Sequence, residues 1–237
     1  MKALLVVVVA LLALAVVADR VAVGVAEERV AGELATKGGL QGAPTVDITG
    51  FPFLTQALAG RYEDVRVSLT AEQLGQPEGT RADVALRGVE VPLSSVLSGS
   101  VAEVPVERID GTATLSYALL SSQLAGDTTL AREGDGLRIT RTVEILGQRL
   151  PLTAVGKVTL EGSDLVVDVS EAAGAGVDVP GWLLSQAADR LDLRYSVPAL
   201  PFGLQLTSVT PAEDGVEVSV EATATVLQPT AAEQPPA

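Results

Sequence analysis

The sequence predicts an α+β fold in which an elongated, twisted antiparallel sheet wraps around a long N-terminal helix, with shorter helices covering it. Apolar and polar residues alternate with a period of two in many segments, which is typical of half-buried strands. A segment of helical periodicity, residues 19–37, precedes these strands. No Gly/Ser-rich or Pro-rich linker interrupts residues 39–227. We therefore expect a single domain over residues 19–227, followed by a polar, Pro-rich and disordered tail at 228–237.

The chain begins with an apolar segment. Lys2 is followed by 16 apolar residues at positions 3–18, which as a helix would span roughly 24 Å, less than the ~30 Å hydrocarbon core of a bilayer. One positive charge before a short apolar run is typical of a signal peptide, and small residues before Asp19 permit cleavage there. The alternatives are an uncleaved membrane anchor that continues into the next helix, or a buried core helix. Cleaved or anchored, residues 1–18 predict an exported protein.

The next segment has helical spacing. Val21, Val25, Val30 and Leu34 recur every four or five residues and predict an apolar stripe facing the sheet. Asp19 is the expected N-cap of this helix, because its side chain can accept a hydrogen bond from a free backbone N–H. The glycines at 38–39 are expected to end it.

The remaining elements follow from alternation and turn chemistry. Strands are predicted at residues 46–48, 65–69, 82–91, 113–115, 137–145, 150–160, 165–169, 204–209 and 216–226. Turn residues at 133–136, 161–164 and 212–215 predict antiparallel hairpins. Short helices are expected at 54–59, 92–97, 117–124 and 181–193, the third of them capped by Ser116.

Composition excludes several functional classes. The formal net charge is −14 without a long basic run, which argues against nucleic-acid binding. The chain has no cysteine and no histidine, so thiol nucleophiles, Ser-His-Asp triads and the commonest metal ligand are excluded. The carboxylate pairs fit solvated turns and helix faces, and no phosphate loop is present. We expect no enzymatic activity, no metal and no cofactor.

Apolar residues are the best candidates for a binding site. The hydrophobic content is 47% with only 3% aromatics, so the interior is aliphatic and suits either an ordinary core or an acyl-chain cavity. The residues expected to line or gate such a cavity are Phe51, Phe53, Leu54, Leu58, Trp182 and Phe202. Arg61 is the candidate for a lipid phosphate, because a guanidinium offers a fork of donors; the alternative is an ion pair with Glu63 or Asp64.

Several blocks of the sequence carry a family resemblance. The block GFPFLTQALAGRYEDV at residues 50–65 is the most specific, supported by DRVAVGVAEERVA, LRGVEVPLSSVLSG, VERIDGTATLSY and LPFGLQLTSV. Together they resemble the actinobacterial LmeA-type phospholipid-binding family. The resemblance implies a periplasmic, membrane-associated protein with a fold similar to tubular lipid-binding domains. It further implies an anionic phospholipid ligand of the phosphatidylinositol type, and a role in lipid transport or lipoglycan maturation at the membrane surface.

Two other functions stay open from the sequence. The chain could be a non-catalytic structural or interaction module of an envelope complex, in which the apolar faces pack solidly or meet a partner. It could also be a carboxylate-based envelope hydrolase acting on glycan or polyprenyl substrates, which would need two acids in one cleft.

Overall fold

A computed structural model describes residues 1–98, 103–124, 128–145, 148–162, 164–174, 193–196 and 200–227. The chain divides into two compact units. The first unit comprises residues 1–69, 83–110 and 222–237, and the second comprises 70–82 and 111–221. A single domain over residues 19–227 stays a prediction, and the expected disordered tail lies outside the described residues.

Helices and strands alternate along the described chain. The helices are α1 (Lys2–Gly38), α2 (Phe53–Ala59), α3 (Ala71–Leu74), α4 (Leu93–Ser98) and α5 (Tyr117–Gln123), with one 3₁₀ turn at Pro201–Gly203. The strands are β1 (Thr45–Thr49), β2 (Arg61–Thr70), β3 (Arg81–Glu90), β4 (Val104–Ser116), β5 (Thr128–Glu133), β6 (Gly136–Ile145), β7 (Gln148–Glu161), β8 (Asp164–Gly174), β9 (Leu193–Ser196), β10 (Gln205–Pro211) and β11 (Gly215–Leu227).

The strands form two open sheets. One has the order β1-β2-β3-β4-β11-β10 and the other β5-β6-β7-β8-β9. The predicted turns join β5 to β6, β7 to β8 and β10 to β11 as antiparallel hairpins. The α+β class, the long N-terminal helix and the antiparallel pairing are therefore confirmed. The strands β5 and β9 and the one-turn helix α3 were missed, and the helix expected at 181–193 falls largely outside the described residues.

The start of α1 differs from the prediction. The helix runs unbroken for 37 residues from Lys2, a length of about 55 Å, so Asp19 lies inside it and cannot be its N-cap. The physical reason is that residues 3–18 include no Gly, Pro or polar residue to stop a helix, and their Leu and Ala residues favour one. The predicted end is correct, because Gly39 takes a left-handed conformation with φ 62° and caps the helix.

The face of α1 that packs against the first unit also differs from the prediction. Val23 and Ala31 are buried there, whereas Val21 and Val25 are about 60% exposed. Small residues on the buried face, including Ala22 and Ala26, let the helix lie closely against the core. That core is formed by Val23, Ala31, Val46, Ile48, Phe53, Ala57 and Val67.

Glu27 of α1 covers part of the sheet edge. Its Oε1 accepts a hydrogen bond of 2.8 Å from the backbone N–H of Ile48. Because β1 is an edge strand, this N–H would otherwise lack a strand partner. The helix therefore satisfies backbone polar groups in addition to burying apolar surface.

The second unit has its own core. Leu137, Val158, Val209 and Val216 are buried, and Tyr117 packs against them. Burial raises the pKa of Tyr117, whose hydroxyl donates to the Ala212 carbonyl at 2.7 Å. The predicted Ser116 cap of α5 is confirmed, since its Oγ accepts from the Leu119 N–H at 3.2 Å.

Candidate functional site near the middle of helix α1

The site is built on a tight corner between β1 and α2. Gly50 ends the strand with φ 100°, and a side chain there would collide with the Gln56 amide. Gln56 is buried; its Nε2 donates to the Thr49 carbonyl at 3.2 Å, and its Oε1 accepts from the Glu63 N–H at 2.9 Å. One side chain therefore ties the end of β1 to the start of β2, and only glycine leaves room for it.

Asp19 caps the helix that follows this corner. The first turn of α2 begins after Pro52, whose side chain has no acceptor for the free backbone N–H groups. Asp19 Oδ1 accepts from the Leu54 N–H at 2.8 Å, and the backbone of Phe53 also donates to this carboxylate. The cap of α2 is thus supplied from α1, 35 residues earlier in the chain.

The Asp19 carboxylate is buried, with 2% of the residue exposed. Burial by itself raises the pKa of Asp19. The hydrogen bonds from Leu54, Arg20 and Phe53 outweigh it and hold the pKa below its ordinary value. Arg20 Nη2 lies 2.6 Å from Asp19 Oδ2 and supplies the compensating charge. The carboxylate is therefore ionised and fully engaged at neutral pH.

Three apolar side chains project outward around this cap, and we call Phe51, Leu54 and Leu58 the corner patch. Their exposed fractions are 62%, 39% and 76%. Leu54 and Leu58 are four residues apart on α2 and share one face. The Arg20 guanidinium lies 5.3 Å from the centroid of the Phe51 ring, in cation–π range. The corner patch thus lies beside residues 19 and 20 of α1.

Phe53 points the opposite way. It is 5% exposed and belongs to the core of the first unit. Its ring centroid lies 6.1 Å from that of Tyr62, and burial raises the pKa of Tyr62. The apolar candidates of this segment therefore divide into one inward-facing ring and three outward-facing side chains.

Arg61 sits at the start of β2, directly after the left-handed Gly60 that ends α2. Its guanidinium contacts Glu90 Oε1 at 2.9 Å and Glu107 Oε1 at 2.6 Å. The alternative prediction, an ion pair of Arg61 with Glu63 or Asp64, is wrong. Asp64 instead pairs with Arg66 at 2.9 Å. All three members of the Arg61 cluster are about half exposed.

The other two candidates are not among the described residues of the first unit. Phe202 lies in the 3₁₀ turn of the second unit, is 37% exposed and has a positive φ of 60°. Trp182 falls outside the described residues. The structure therefore groups Phe51, Phe53, Leu54, Leu58 and Arg61 in the first unit.

Asp19 and Arg20 were missed as members of this site. The sequence held one signal for Asp19, because a helix that starts after proline lacks a side-chain cap of its own and needs an acceptor from elsewhere. Nothing in the sequence identified which of the acidic residues supplies it.

The described residues were also compared with the requirements of a metal site and of a membrane-crossing helix. Within the described ranges, no three carboxylates come close enough together to hold a metal ion. In the same part of the chain, α1 is the one helix whose length and composition would let it cross a membrane. A signal sequence near the N-terminus meets the same criterion.

The molecule is thus an α+β protein with an apolar N-terminal helix. The buried carboxylate of Asp19 binds this helix to the corner between β1 and α2. The family model of LmeA-like phospholipid-binding proteins matches residues 17–221, and the chain belongs to this family. The match includes Asp19, Arg20 and the whole corner. No curated protein and no solved structure matches the chain.

Proposed function

We propose that this protein is a non-catalytic phospholipid carrier of the cell envelope, exported or anchored through residues 1–18. It would hold acyl chains in an apolar tunnel and support lipid transport or lipoglycan maturation at the membrane. The observation that carries the proposal is membership of a phospholipid-binding family over residues 17–221. The apolar start of α1 and the absence of cysteine and histidine from the sequence are consistent with it.

Aliphatic surface is sufficient to retain such a ligand. Burying one methylene contributes roughly 0.8 kcal/mol, so a sixteen-carbon chain gains on the order of 12 kcal/mol before the costs of binding. A chain with 47% hydrophobic and 3% aromatic residues offers mainly Val, Leu and Ala for these contacts. In this proposal Phe53, Trp182 and Phe202 line the tunnel, and the exposed Phe51, Leu54 and Leu58 gate its mouth at the membrane.

Choice of headgroup needs a cation, and Arg61 is the proposed phosphate contact for an anionic lipid of the phosphatidylinositol type. Its guanidinium is already paired with Glu90 and Glu107. A phosphate would have to displace one carboxylate, which costs little because exposed ion pairs contribute only about 0–1 kcal/mol. Arg66, which is also exposed and paired with a carboxylate, offers a matched comparison.

Native mass spectrometry of the full chain tests the proposal. After gentle extraction, or after addition of phosphatidylinositol, we expect a protein mass increased by that of one or more phospholipid molecules. Arg61→Ala should lose preference for phosphatidylinositol over phosphatidylcholine, while Arg66→Ala keeps it. Recovery of only the bare protein mass under both conditions would contradict phospholipid binding. Equal preference in both arginine variants would contradict the role of Arg61.

A further inference from the structure

Two exposed apolar surfaces meet near the middle of α1, at residues 19 and 20. Residues 3–18 present exposed aliphatic side chains, such as Leu4 at 70% and Val17 at 59%. The corner patch of Phe51, Leu54 and Leu58 is exposed to a similar degree.

The contacts of residues 19 and 20 join these surfaces. Asp19 binds the backbone of Leu54, and Arg20 lies over the ring of Phe51. Because α1 is unbroken from Lys2 to Gly38, the apolar helix and the corner patch are held in fixed relation within the first unit.

We propose that the corner patch docks into the surface of a lipid bilayer at the point where α1 enters the membrane. This inference rests on the proposed envelope function and adds the surface that contacts the membrane. Phe51, Leu54 and Leu58 would lie at the boundary between headgroups and acyl chains. Arg20, whose side chain is 50% exposed, would lie at the level of the lipid phosphates, with its aliphatic stem along the apolar surface.

The length of the apolar segment places the patch at this depth. Residues 3–18 span roughly 24 Å as a helix, about 6 Å less than the ~30 Å hydrocarbon core. A helix shorter than the core draws its flanking residues toward the bilayer or thins the bilayer around it. Asp19 and Arg20 are these flanking residues, so the side chains in contact with them are drawn to the interface as well.

A lipid bilayer fits this surface better than a protein does. The segment 3–18 is apolar on every side, and such a helix has to be surrounded by apolar material, which hydrocarbon supplies and a partner on one face does not. A second copy of the chain is disfavoured, because each copy carries a net charge of −14. The patch offers apolar side chains beside one arginine, the arrangement expected of a protein segment that sits in the interface.

A depth measurement on the full chain tests the docking. Since the chain has no cysteine, a single Leu58→Cys variant can carry an environment-sensitive fluorophore. Glu33→Cys is the matched control: it lies on helix α1, its side chain is 59% exposed, and it is 14 residues beyond Asp19, about 21 Å along the axis. Both variants are reconstituted in nanodiscs of phosphatidylcholine and phosphatidylglycerol that contain a headgroup-nitroxide lipid.

We expect the nitroxide to quench the probe at position 58 at least about twofold more than at position 33, as for a segment in the interface. Equal quenching at both positions would overturn the docking. A Phe51→Cys probe repeats the measurement, so the conclusion does not depend on one substitution. Circular dichroism verifies that each labelled variant has the α-helix and strand content of the unmodified chain.

Native mass spectrometry of the unsubstituted full chain, set beside the quenching of the labelled variants, separates this inference from the proposed function. Protein that retains phospholipid in native mass spectrometry but shows no selective quenching at position 58 would contradict the docking and leave phospholipid binding intact. Selective quenching in protein that never retains phospholipid would support the docking and contradict the carrier function.

Discussion

The two halves of helix α1 differ in what surrounds them. From residue 3 to residue 18 every side chain is exposed, whereas from residue 19 onward the helix packs against β1 and α2 and contributes Val23 and Ala31 to the core. No break in the backbone separates them. The boundary is instead chemical: Asp19 is the first buried residue, and its carboxylate binds the backbone of α2. A continuous helix therefore contains an exposed segment and a segment that packs against the core, and a single aspartate marks the change.

Replacing Asp19 should destabilise the protein most. Asp19→Ala leaves the backbone N–H groups of Phe53 and Leu54 without their acceptor and Arg20 without its partner. We expect Tm to fall by roughly 10 °C, since several buried hydrogen bonds are lost at once. Hydrogen exchange in α2 should accelerate. Glu28→Ala, on an exposed position of the same helix, should change Tm by less than about 2 °C. Similar losses in both variants would show that the boundary is not at Asp19.

Alanine should have opposite effects on stability at Gly50 in the corner and at Gly24 in helix α1. Gly50→Ala forces a side chain against Gln56 at a φ of 100° and should destabilise the protein by about 1–3 kcal/mol. Gly24 lies inside α1, and a methyl group at this position would have no atom within 4 Å apart from its chain neighbours and the backbone of its own helix turns, so Gly24→Ala should stabilise by about 0.5–1 kcal/mol. Chemical denaturation of both variants measures these values. Destabilisation by Gly24→Ala would mean that α1 packs more tightly than its contacts indicate.

The stabilisation that Asp19 contributes should depend on pH. Its folded-state pKa is lowered, so its contribution is complete above the unfolded value of about 3.9 and is lost as pH falls through the folded pKa. Asp19→Asn keeps one acceptor but removes the charge, and should lower Tm by about 4 °C at pH 7. Tm measured from pH 7 to pH 2.5 should show this difference shrinking below about pH 4. A difference independent of pH would mean that the charge of Asp19 does not stabilise the fold.

Deleting residues 1–18, which are all exposed, should have the smallest effect on Tm. A chain beginning at Asp19 loses the exposed helical segment but keeps every buried contact of α1. Its Tm, measured by circular dichroism in the same detergent as the full chain, should agree within about 2 °C. A chain beginning at Val25 loses Asp19 and Val23 and serves as the control that should unfold at lower temperature. A large loss on removing residues 1–18 alone would contradict the division of α1 at Asp19.

Short sequence patterns predicted many of the strands, hairpins and helix ends. Alternation located β6, β7, β10 and β11 to within a few residues, and Gly- and Asp-rich turns fixed the three hairpins. Ser116 and Gly39 were recognised as helix boundaries because a cap depends on neighbouring residues. The short strand β5 was missed, because its sequence TTLARE has no clear apolar alternation.

The candidate site was predicted only in part. The specific block at residues 50–65 pointed to the right corner, and Phe51, Phe53, Leu54, Leu58 and Arg61 all lie there. The sequence did not separate the buried Phe53 from the exposed Phe51, because both flank one proline. It also did not identify Glu90 and Glu107 as the partners of Arg61, since they lie 29 and 46 residues away along the chain.

Residue order over short distances is enough to predict the α+β class, the apolar N-terminal segment, the hairpins and the family. It is evident only in the folded protein that α1 continues through Asp19, that its small-residue face packs inward and that Asp19 caps α2. These features depend on groups far apart in the chain, which meet only when burial makes an unpaired backbone N–H or an unpaired charge costly. The same packing leaves Phe51, Leu54 and Leu58 exposed beside the apolar helix.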